Sequence, residues 1–183
     1  MKFESLDIRL KNGKTVTLRE ASVDDAEELI SVVKKYIEDS EYIPYTKGEF
    51  NPAIEFEEEW IQALNDQKNS LLLLAMHNDK IIGNISVNGS QRNMAAHTAC
   101  IGIGLLREWR NQGIGSILFN SVIEWAKKNS QLEILWLETY VTNKEGIALY
   151  RKYGFEQDGI QKDFIKISDN EYADNLMMSL KLK

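Results

Sequence analysis

One stretch in the second half of the chain constrains the fold most. An apolar strand from Ala99 to Leu105 runs into a polar turn, and two glycines, Gly113 and Gly115, then open a helix. That helix continues to about Asn129, because apolar residues recur at helical spacing. They are Ile114, Leu118, Val122 and Trp125. A strand, a tight turn and an amphipathic helix in succession require a fold that contains both a sheet and helices.

The remaining patterns give the order β-α-α-β-β-β-α-β-α-β-β. A polar loop is predicted at 88–94, and Phe56, Trp60 and Leu64 are expected on one face of the second helix. The order predicts an α/β (α+β) fold in which a mixed sheet carries helices on both faces. The predicted elements are strand 16–19, a helix from its N-cap Ser22 to Asp39, helix 55–64, strands 71–76, 81–87 and 99–105, helix 113–129, strand 134–141, helix 144–153 and two strands after Phe155, separated by a turn at 168–171.

Length, charge and cysteine content narrow the class of protein. The 183 residues fit one domain, 1–183. The net charge of −6 argues against a nucleic-acid partner. Residues 1–60 carry 15 acidic and 8 basic residues, whereas the rest of the chain is nearly neutral. A single cysteine, Cys100, excludes an intrachain disulfide, and no apolar run is long enough for a membrane span. The first residues lack the apolar core of a signal peptide, so we expect a cytoplasmic protein that has no membrane partner.

The turn before the glycine-opened helix has the chemistry of an anion site. A helix N-terminus presents unpaired N–H groups and a partial positive charge, and glycine lets a phosphate approach the backbone closely. Arg110 adds a permanent charge there. The dinucleotide fingerprint does not fit, since Arg107 stands where its third glycine would be, and the Gly-Lys-Ser/Thr of nucleotide triphosphate loops is absent. The alternative is an ordinary strand-to-helix turn with capping glycines.

Two motifs in order resemble those of one superfamily. Arg110-x-x-Gly113-x-Gly115 resembles the R/Q-x-x-G-x-G/A motif of the GNAT superfamily of acetyl-CoA-dependent N-acetyltransferases. The segment from Asn143 to Phe155 is similar to that superfamily's second block, N-x-x-(A)-x-x-L-Y-x-K-x-G-F. The block departs at Gly146, where alanine is usual, and the expected cost is helix propensity alone. The resemblance covers nearly the whole chain.

The resemblance implies a mostly antiparallel GNAT-like sheet whose strand 101–105 splays from strand 137–141. It implies acetyl-CoA as cosubstrate and no metal. The amide of Ile103 would polarise the acetyl carbonyl, and the amides from Asn111 to Ser116 would hold the pyrophosphate. The implied cofactor-binding residues are Ile103, Gly104, Leu105, Arg110, Asn111, Gln112, Gly113, Ile114, Gly115, Ser116, Asn143, Tyr150 and Lys152.

The catalytic groups are only partly defined by the resemblance. Tyr150 matches the tyrosine that protonates the leaving thiolate, although a buried aromatic with a satisfied hydroxyl is the alternative. The strand before the glycine loop lacks the glutamate that serves many members as general base. His97 and Glu138 are the two candidates, and a base that acts through ordered water is the third option.

The acceptor is expected to be a small-molecule amine or an amino acid. Aromatic and acidic residues occupy the segments that form the acceptor wall in the superfamily, which suits a cation, but a solvated acidic helix face explains the acidic residues equally well. An acetyl-CoA sensor without turnover and a protein N-terminal or lysine acetyltransferase remain alternatives. Homodimers are frequent in the superfamily, so a homodimer stays open. The wall residues are Tyr36, Tyr42, Tyr45, Phe56, Trp60, the acidic set Glu55, Glu57, Glu58 and Glu59, and Phe164 and Tyr172.

Overall fold

A single eight-stranded sheet organises the chain in a computed structural model that describes residues 2–182. The spatial order is β1-β2-β3-β4-β5-β6-β8-β7. Every neighbouring pair is antiparallel except β5 and β6, which run parallel. The strands are β1 Leu6–Arg9, β2 Thr15–Glu20, β3 Leu71–His77, β4 Lys80–Gly89, β5 Thr98–Leu105, β6 Ile134–Tyr140, β7 Glu156–Ser168 and β8 Glu171–Lys181.

Helices cover both faces of this sheet, as the sequence predicts. On one face α1 (Ala26–Glu38) and α2 (Ile54–Asp66) pack over Leu72 and Leu74 of β3. On the other face α3 (Ile114–Lys128) and α4 (Lys144–Lys152) close a larger core. Alternate residues of one strand point to opposite faces, so β3 serves both cores. The predicted stripe of α3 is confirmed, since its four residues are buried.

Two features of the fold differ from the sequence-based expectation. The strand β1 was not predicted, because its four residues alternate weakly and stay largely exposed at the edge of the sheet. The buried stripe of α2 is Glu57, Ile61 and Leu64, whereas Phe56 is 65% exposed. Trp60 is partly buried and packs against the same core, so of the three residues expected on one face of α2 only Phe56 lies away from the core.

Candidate active site

A cleft opens where β5 and β6 separate. The two strands pair only from Thr98 to Cys100 and from Ile134 to Trp136. Both strands continue beyond these pairs, β5 to Leu105 and β6 to Tyr140, with their other neighbours β4 and β8 still in register. The predicted splayed pair is therefore present, and it widens toward the carboxyl ends of both strands.

The edge of β5 that faces the cleft carries hydrogen-bonding groups at alternate residues. The amide of Leu106 donates to the Ile82 carbonyl at 3.0 Å, and the Ser90 amide donates to the Thr98 carbonyl at 3.1 Å. With the antiparallel register between these strands, the even-numbered residues of β5 bond to β4. The amides of Ile101, Ile103 and Leu105 consequently point toward β6, and two of them are the predicted cofactor contacts.

The glycine loop bends sharply before α3 begins at Ile114. Asn111 and Gly113 both have left-handed backbones, with φ of 59° and 86°. The first backbone bond that closes on the loop is from the Ile117 amide to the Gly113 carbonyl, at 3.1 Å. The amides of Ile114, Gly115 and Ser116 precede it in the first helical turn, where no intrahelical acceptor exists. Free amides at a helix N-terminus have the chemistry to bind an anion, and these amides follow the end of β5 at the open end of the cleft.

Arg110 makes structural hydrogen bonds in addition to carrying a positive charge. Its guanidinium donates to three backbone carbonyls, those of Leu105 at 3.0 Å, Asp39 at 3.3 Å and Tyr36 at 3.5 Å. Carbonyls at the carboxyl end of a helix have no partner of their own and carry a partial negative charge. Arg110 thus fixes the end of α1 against the end of β5, and it keeps two of its five N–H groups for a further acceptor.

Other predicted cofactor residues gather at the same loop. Lys152 approaches it from α4, and its Nζ donates to the Ser116 Oγ at 3.2 Å. Gln112 holds the loop by donating to the Glu108 carbonyl and by accepting from Asn12. Gly115 brings α3 close to α4, since a Cβ on it would lie 3.3 Å from a Leu149 methyl. The Lys152 ammonium and the three amides of the first turn of α3 therefore lie together, at the place where α3 and α4 are in close contact.

Tyr150 lies inside the wall formed by α4, beside the splayed part of β6. Its ring packs on Phe119, with centroids 5.3 Å apart, and the residue is buried. Burial raises the pKa of its hydroxyl, and hydrogen bonding with Thr139 opposes that rise. A phenol with a raised pKa stays protonated at neutral pH, so the Tyr150 hydroxyl beside Thr139 of β6 has a proton to donate.

Asn143 acts as the N-cap of α4. Its Oδ1 accepts from the Gly146 amide at 3.0 Å, and its Nδ2 donates to the Thr139 Oγ1 at 2.9 Å. A Cβ at Gly146 would lie 2.5 Å from this Nδ2. An alanine at this position would therefore require a shift of the Asn143 side chain, in addition to its effect on helix propensity. Asn143 therefore has a local structural role, which satisfies backbone and side-chain groups at the start of α4.

The opposite wall of the cleft comes from α1 and α2. The Tyr36 ring covers Gly104 of β5 so closely that a Cβ there would lie 2.3 Å from the ring. The Tyr36 hydroxyl donates to the Oδ1 of Asn84, the residue paired with Gly104. Burial and the neighbouring carboxylate of Glu57 raise the pKa of this hydroxyl. Glu57 itself is only 6% exposed, and burial raises its pKa.

The two base candidates occupy very different places. Glu138 lies on β6, two residues past the last residue paired with β5, and it is exposed on the face that also carries Cys100. Burial, with a smaller contribution from the Glu138 charge, raises the pKa of the Cys100 thiol to about 11. His97 lies at the closed end, where its carbonyl accepts from the Glu133 and Ile134 amides. Six residues of extended chain separate it from Ile103, about 20 Å, so the structure does not bring His97 to the cleft.

Comparison with known proteins places this architecture. The model of the acetyltransferase (GNAT) family matches residues 34–155, which include the cleft, the glycine loop and α4. The chain belongs to the acetyltransferase (GNAT) family. It is therefore an acetyltransferase, and acetyl-CoA is the acetyl donor of this family.

Relatives of this GNAT acetyltransferase include enzymes with different acceptors. The L-amino acid N-acetyltransferase AaaT of Escherichia coli is 29% identical over 120 residues, which are 66% of this chain and 74% of that protein. N-alpha-acetyltransferase 50 of Danio rerio is 26% identical over 111 residues, 61% of this chain and 66% of that protein. A GNAT family acetyltransferase of Streptococcus pneumoniae superposes with a TM-score of 0.87 at 26% identity, covering 91% of this chain and 99% of that one.

A further solved structure shows the fold with its cosubstrate. YncA of Salmonella typhimurium, described as a putative acetyltransferase with its cofactor acetyl-CoA, superposes with a TM-score of 0.79 at 15% identity. The aligned region covers 92% of this chain and 94% of that one. The likeness is in the fold.

The expected acceptor wall lies next to two residues, Asn84 and Glu57, that the sequence analysis did not distinguish from their neighbours. Asn84 was not singled out, and Glu57 was counted with the acidic residues of an exposed helix face. A signal was present in the spacing of Glu57, Ile61 and Leu64, which put one carboxylate in line with two apolar residues. Of the other expected wall residues, Tyr42 lies against Tyr140 of β6, with ring centroids 6.1 Å apart, whereas Phe164 and Tyr172 are exposed in the β7–β8 hairpin.

No helix within 2–182 is both long and apolar enough to cross a membrane. Among the same residues, no three histidine, cysteine, aspartate or glutamate side chains form a group that could hold a metal ion.

Proposed function

We propose that this GNAT acetyltransferase moves the acetyl group of acetyl-CoA to the primary amine of a small molecule, an amine or an amino acid, by direct attack in a ternary complex. The observation that carries the proposal is the continuity of three elements. The free edge of β5 leads directly into the left-handed glycine loop and the open N-terminus of α3. A pantetheine arm on the β5 edge would place its pyrophosphate on the α3 amides.

Each residue role follows from its position. The Ile103 and Leu105 amides lie on the free edge, so they would bond the pantetheine arm, and the Ile103 amide would polarise the acetyl carbonyl. The α3 amides and Lys152 would bind the pyrophosphate, as would any free N–H of Arg110. Tyr150 would give its proton to the thiolate as it leaves. Glu138 stays a candidate base, and His97 has no role in this proposal.

A small acceptor is favoured by the size of the opposite wall. Tyr36 covers Gly104 of β5 and the Tyr42–Tyr140 pair lies at the end of β6, so aromatic rings border this side of the cleft, which suits a small amine. The named activity of AaaT, acetylation of L-amino acids, supports the same choice. A cytoplasmic location stays a prediction that rests on composition, and a homodimer stays open.

Protein acetylation is the second candidate. Apolar side chains are exposed along the β7–β8 hairpin, and they could contact a peptide. N-alpha-acetyltransferase 50 is also among the relatives. The exposed residues are Ile160, Phe164, Ile167 and Tyr172.

The first experiment is calorimetric titration of the protein with acetyl-CoA, followed by free-thiol detection with an amine panel. The panel comprises the standard amino acids, benzylamine, tyramine, spermidine and short peptides. Thiol release with a small amine supports the proposal, and release with peptides alone supports the second candidate. Acetyl-CoA binding without any release would refute both acceptor assignments.

The glycine loop is tested by Gly113→Val. Valine is strained at a φ of 86° and would crowd the anion site, so we expect acetyl-CoA affinity to fall by about a hundredfold or more. Gly48→Val is the matched control, because Gly48 has a φ of 81° and, like Gly113, no heavy atom within 4 Å of an added Cβ. Equal loss of affinity in both variants would mean that backbone strain, and not the loop, causes the effect.

A further inference from the structure

Glu57 is the buried carboxylate that the structure leaves unexplained. It lies in the first turns of α2, in line with Ile61 and Leu64, and faces the core that α1 and α2 share with the sheet. Among residues 2–182 its side chain has no hydrogen-bond or ion-pair partner, and no unpartnered side-chain oxygen in this range is fully buried, so the Glu57 carboxylate oxygens keep contact with solvent. A buried carboxylate without a cationic partner is costly to a fold. Glu57 therefore presents an unpaired carboxylate that is largely desolvated and open to a cation.

The surroundings of Glu57 belong to the acceptor side of the cleft. Its charge acts on the Tyr36 hydroxyl, which bonds Asn84 at 3.2 Å. The same tyrosine ring lies on Gly104, next in sequence to Ile103 and Leu105. Glu57 is thus separated by one aromatic ring from the strand that carries the proposed acetyl-binding amides. It approaches that strand from the face opposite Tyr150.

We infer that Glu57 is the acidic group of the acceptor subsite, which binds the acceptor as an ammonium ion and takes the proton that the nitrogen loses before attack. The inference rests on the proposed function and identifies a base that is neither His97 nor Glu138. Burial raises the pKa of this carboxyl, which suits it to accept a proton. An ammonium ion supplies the cationic partner that Glu57 lacks.

The protons and bonds balance in this scheme. Glu57 takes one proton from the ammonium, and the resulting neutral amine forms a C–N bond to the acetyl carbon. The C–S bond breaks, and the sulfur leaves with the electron pair and receives the Tyr150 proton. The acetylated nitrogen loses its second proton to solvent, Tyr150 regains a proton from solvent, and Glu57 returns its own proton to solvent when the product leaves, so that one proton is released per turnover.

The test compares Glu57→Gln with Glu58→Gln, which removes the same charge from the exposed neighbour on α2. The acceptor is the panel amine that the wild type acetylates fastest. We expect Glu57→Gln to raise its KM by about ten- to a hundredfold, the usual cost of one charge-assisted hydrogen bond, and to lower kcat as well. The KM for acetyl-CoA and both constants of Glu58→Gln should stay near the wild-type values. An amine KM that changes by less than about threefold in Glu57→Gln would overturn the inference while acetyl transfer stands.

A binding measurement separates the inference from the proposed function. Benzylamine and benzyl alcohol are titrated into the protein saturated with CoA, which cannot acetylate them. We expect the wild type to prefer the amine and Glu57→Gln to lose that preference. If the wild type acetylates no small amine but still shows this preference, the proposed function fails and Glu57 keeps its role. If the wild type binds neither probe differently, the inference fails.

A structural role would give another pattern. A carboxylate in the first turns of a helix stabilises the helix dipole, so a purely structural Glu57 predicts a lower Tm for Glu57→Gln with an unchanged amine KM. The functional role predicts a Tm that is unchanged or higher, because the substitution removes an uncompensated buried charge. A lower Tm with an unchanged amine KM would overturn the inference.

Discussion

At the scale of single residues, several side chains that stabilise the cleft are also ones for which we propose a role in binding or catalysis. Asn143 caps α4 and holds Thr139, while Thr139 in turn bonds with Tyr150. Arg110 bonds the end of α1 to the end of β5, immediately before the glycine loop. A change at one of these residues therefore affects stability and chemistry together. Variants that separate the two effects are the most informative.

Tyr150→Phe removes a hydroxyl and leaves the buried ring in place. We expect kcat to fall by about a hundredfold or more, with little change in acetyl-CoA affinity, because the proton donor is needed only as the thiolate leaves. Steady-state kinetics and calorimetry measure the two effects. Tyr153→Phe is the control, since its hydroxyl donates to the Ser116 carbonyl at 2.6 Å and has no proposed chemical role. A similar loss of kcat in both variants would contradict the role of Tyr150.

The Cys100 thiol should react slowly with alkylating agents in the folded protein. Its pKa of about 11, raised by burial and by Glu138, means that little thiolate is present at neutral pH. We expect alkylation by iodoacetamide to be slow near neutrality, to accelerate as the pH approaches 11, and to be fast at neutral pH once urea unfolds the chain. Fast alkylation of the folded protein at neutral pH would contradict this prediction.

At the scale of elements, the two edges of β5 have separate tasks. The backbone N–H and C=O groups of the even-numbered residues bond to β4, and those of the odd-numbered residues point toward β6 and the cleft. This division is a direct result of the antiparallel ladder, in which successive residues point their amides in opposite directions. The parallel partner β6 departs after three pairs, which leaves the amides of Ile103 and Leu105 available to a ligand.

Hydrogen exchange can test this division amide by amide. The amides of Ile103 and Leu105 should exchange quickly in the free protein and slowly with acetyl-CoA bound. Those of Gly102 and Gly104 should be protected in both states, because they bond to β4. Backbone NMR of the two states is the measurement. Equal protection of all four amides in the free protein would show that the cleft edge of β5 is not free.

At the scale of the whole molecule, one sheet carries two apolar cores, and we predict that residues 1–183 form one domain. β3 contributes alternate side chains to both cores, so neither core can be lost alone. Urea unfolding should then be a single transition, coincident in tryptophan fluorescence and far-ultraviolet circular dichroism. The four tryptophans report from different elements: Trp60 in α2, Trp109 before the glycine loop, Trp125 in α3 and Trp136 in β6. Two separated transitions would show two domains.

Local patterns in the chain were enough to predict the strand, the glycine loop and α3. Their positions depend on hydrophobic periodicity and on a left-handed backbone at Gly113, which are properties of neighbouring residues. The mixed sheet with helices on both faces followed from the order of these elements, and the splayed strand pair was expected from the resemblance to one superfamily.

Long-range packing decided the rest. The spacing in α2 is compatible with either Glu57 or Phe56 on the buried side, and the contacts of α2 with α1 and β3 decide that Glu57 is buried and Phe56 exposed. The distance from His97 to the cleft depends on which end of β5 pairs with β6. The tight space at Gly146 depends on the side chain that caps α4. In each case the controlling contact joins groups whose relative orientation a one-dimensional pattern does not encode.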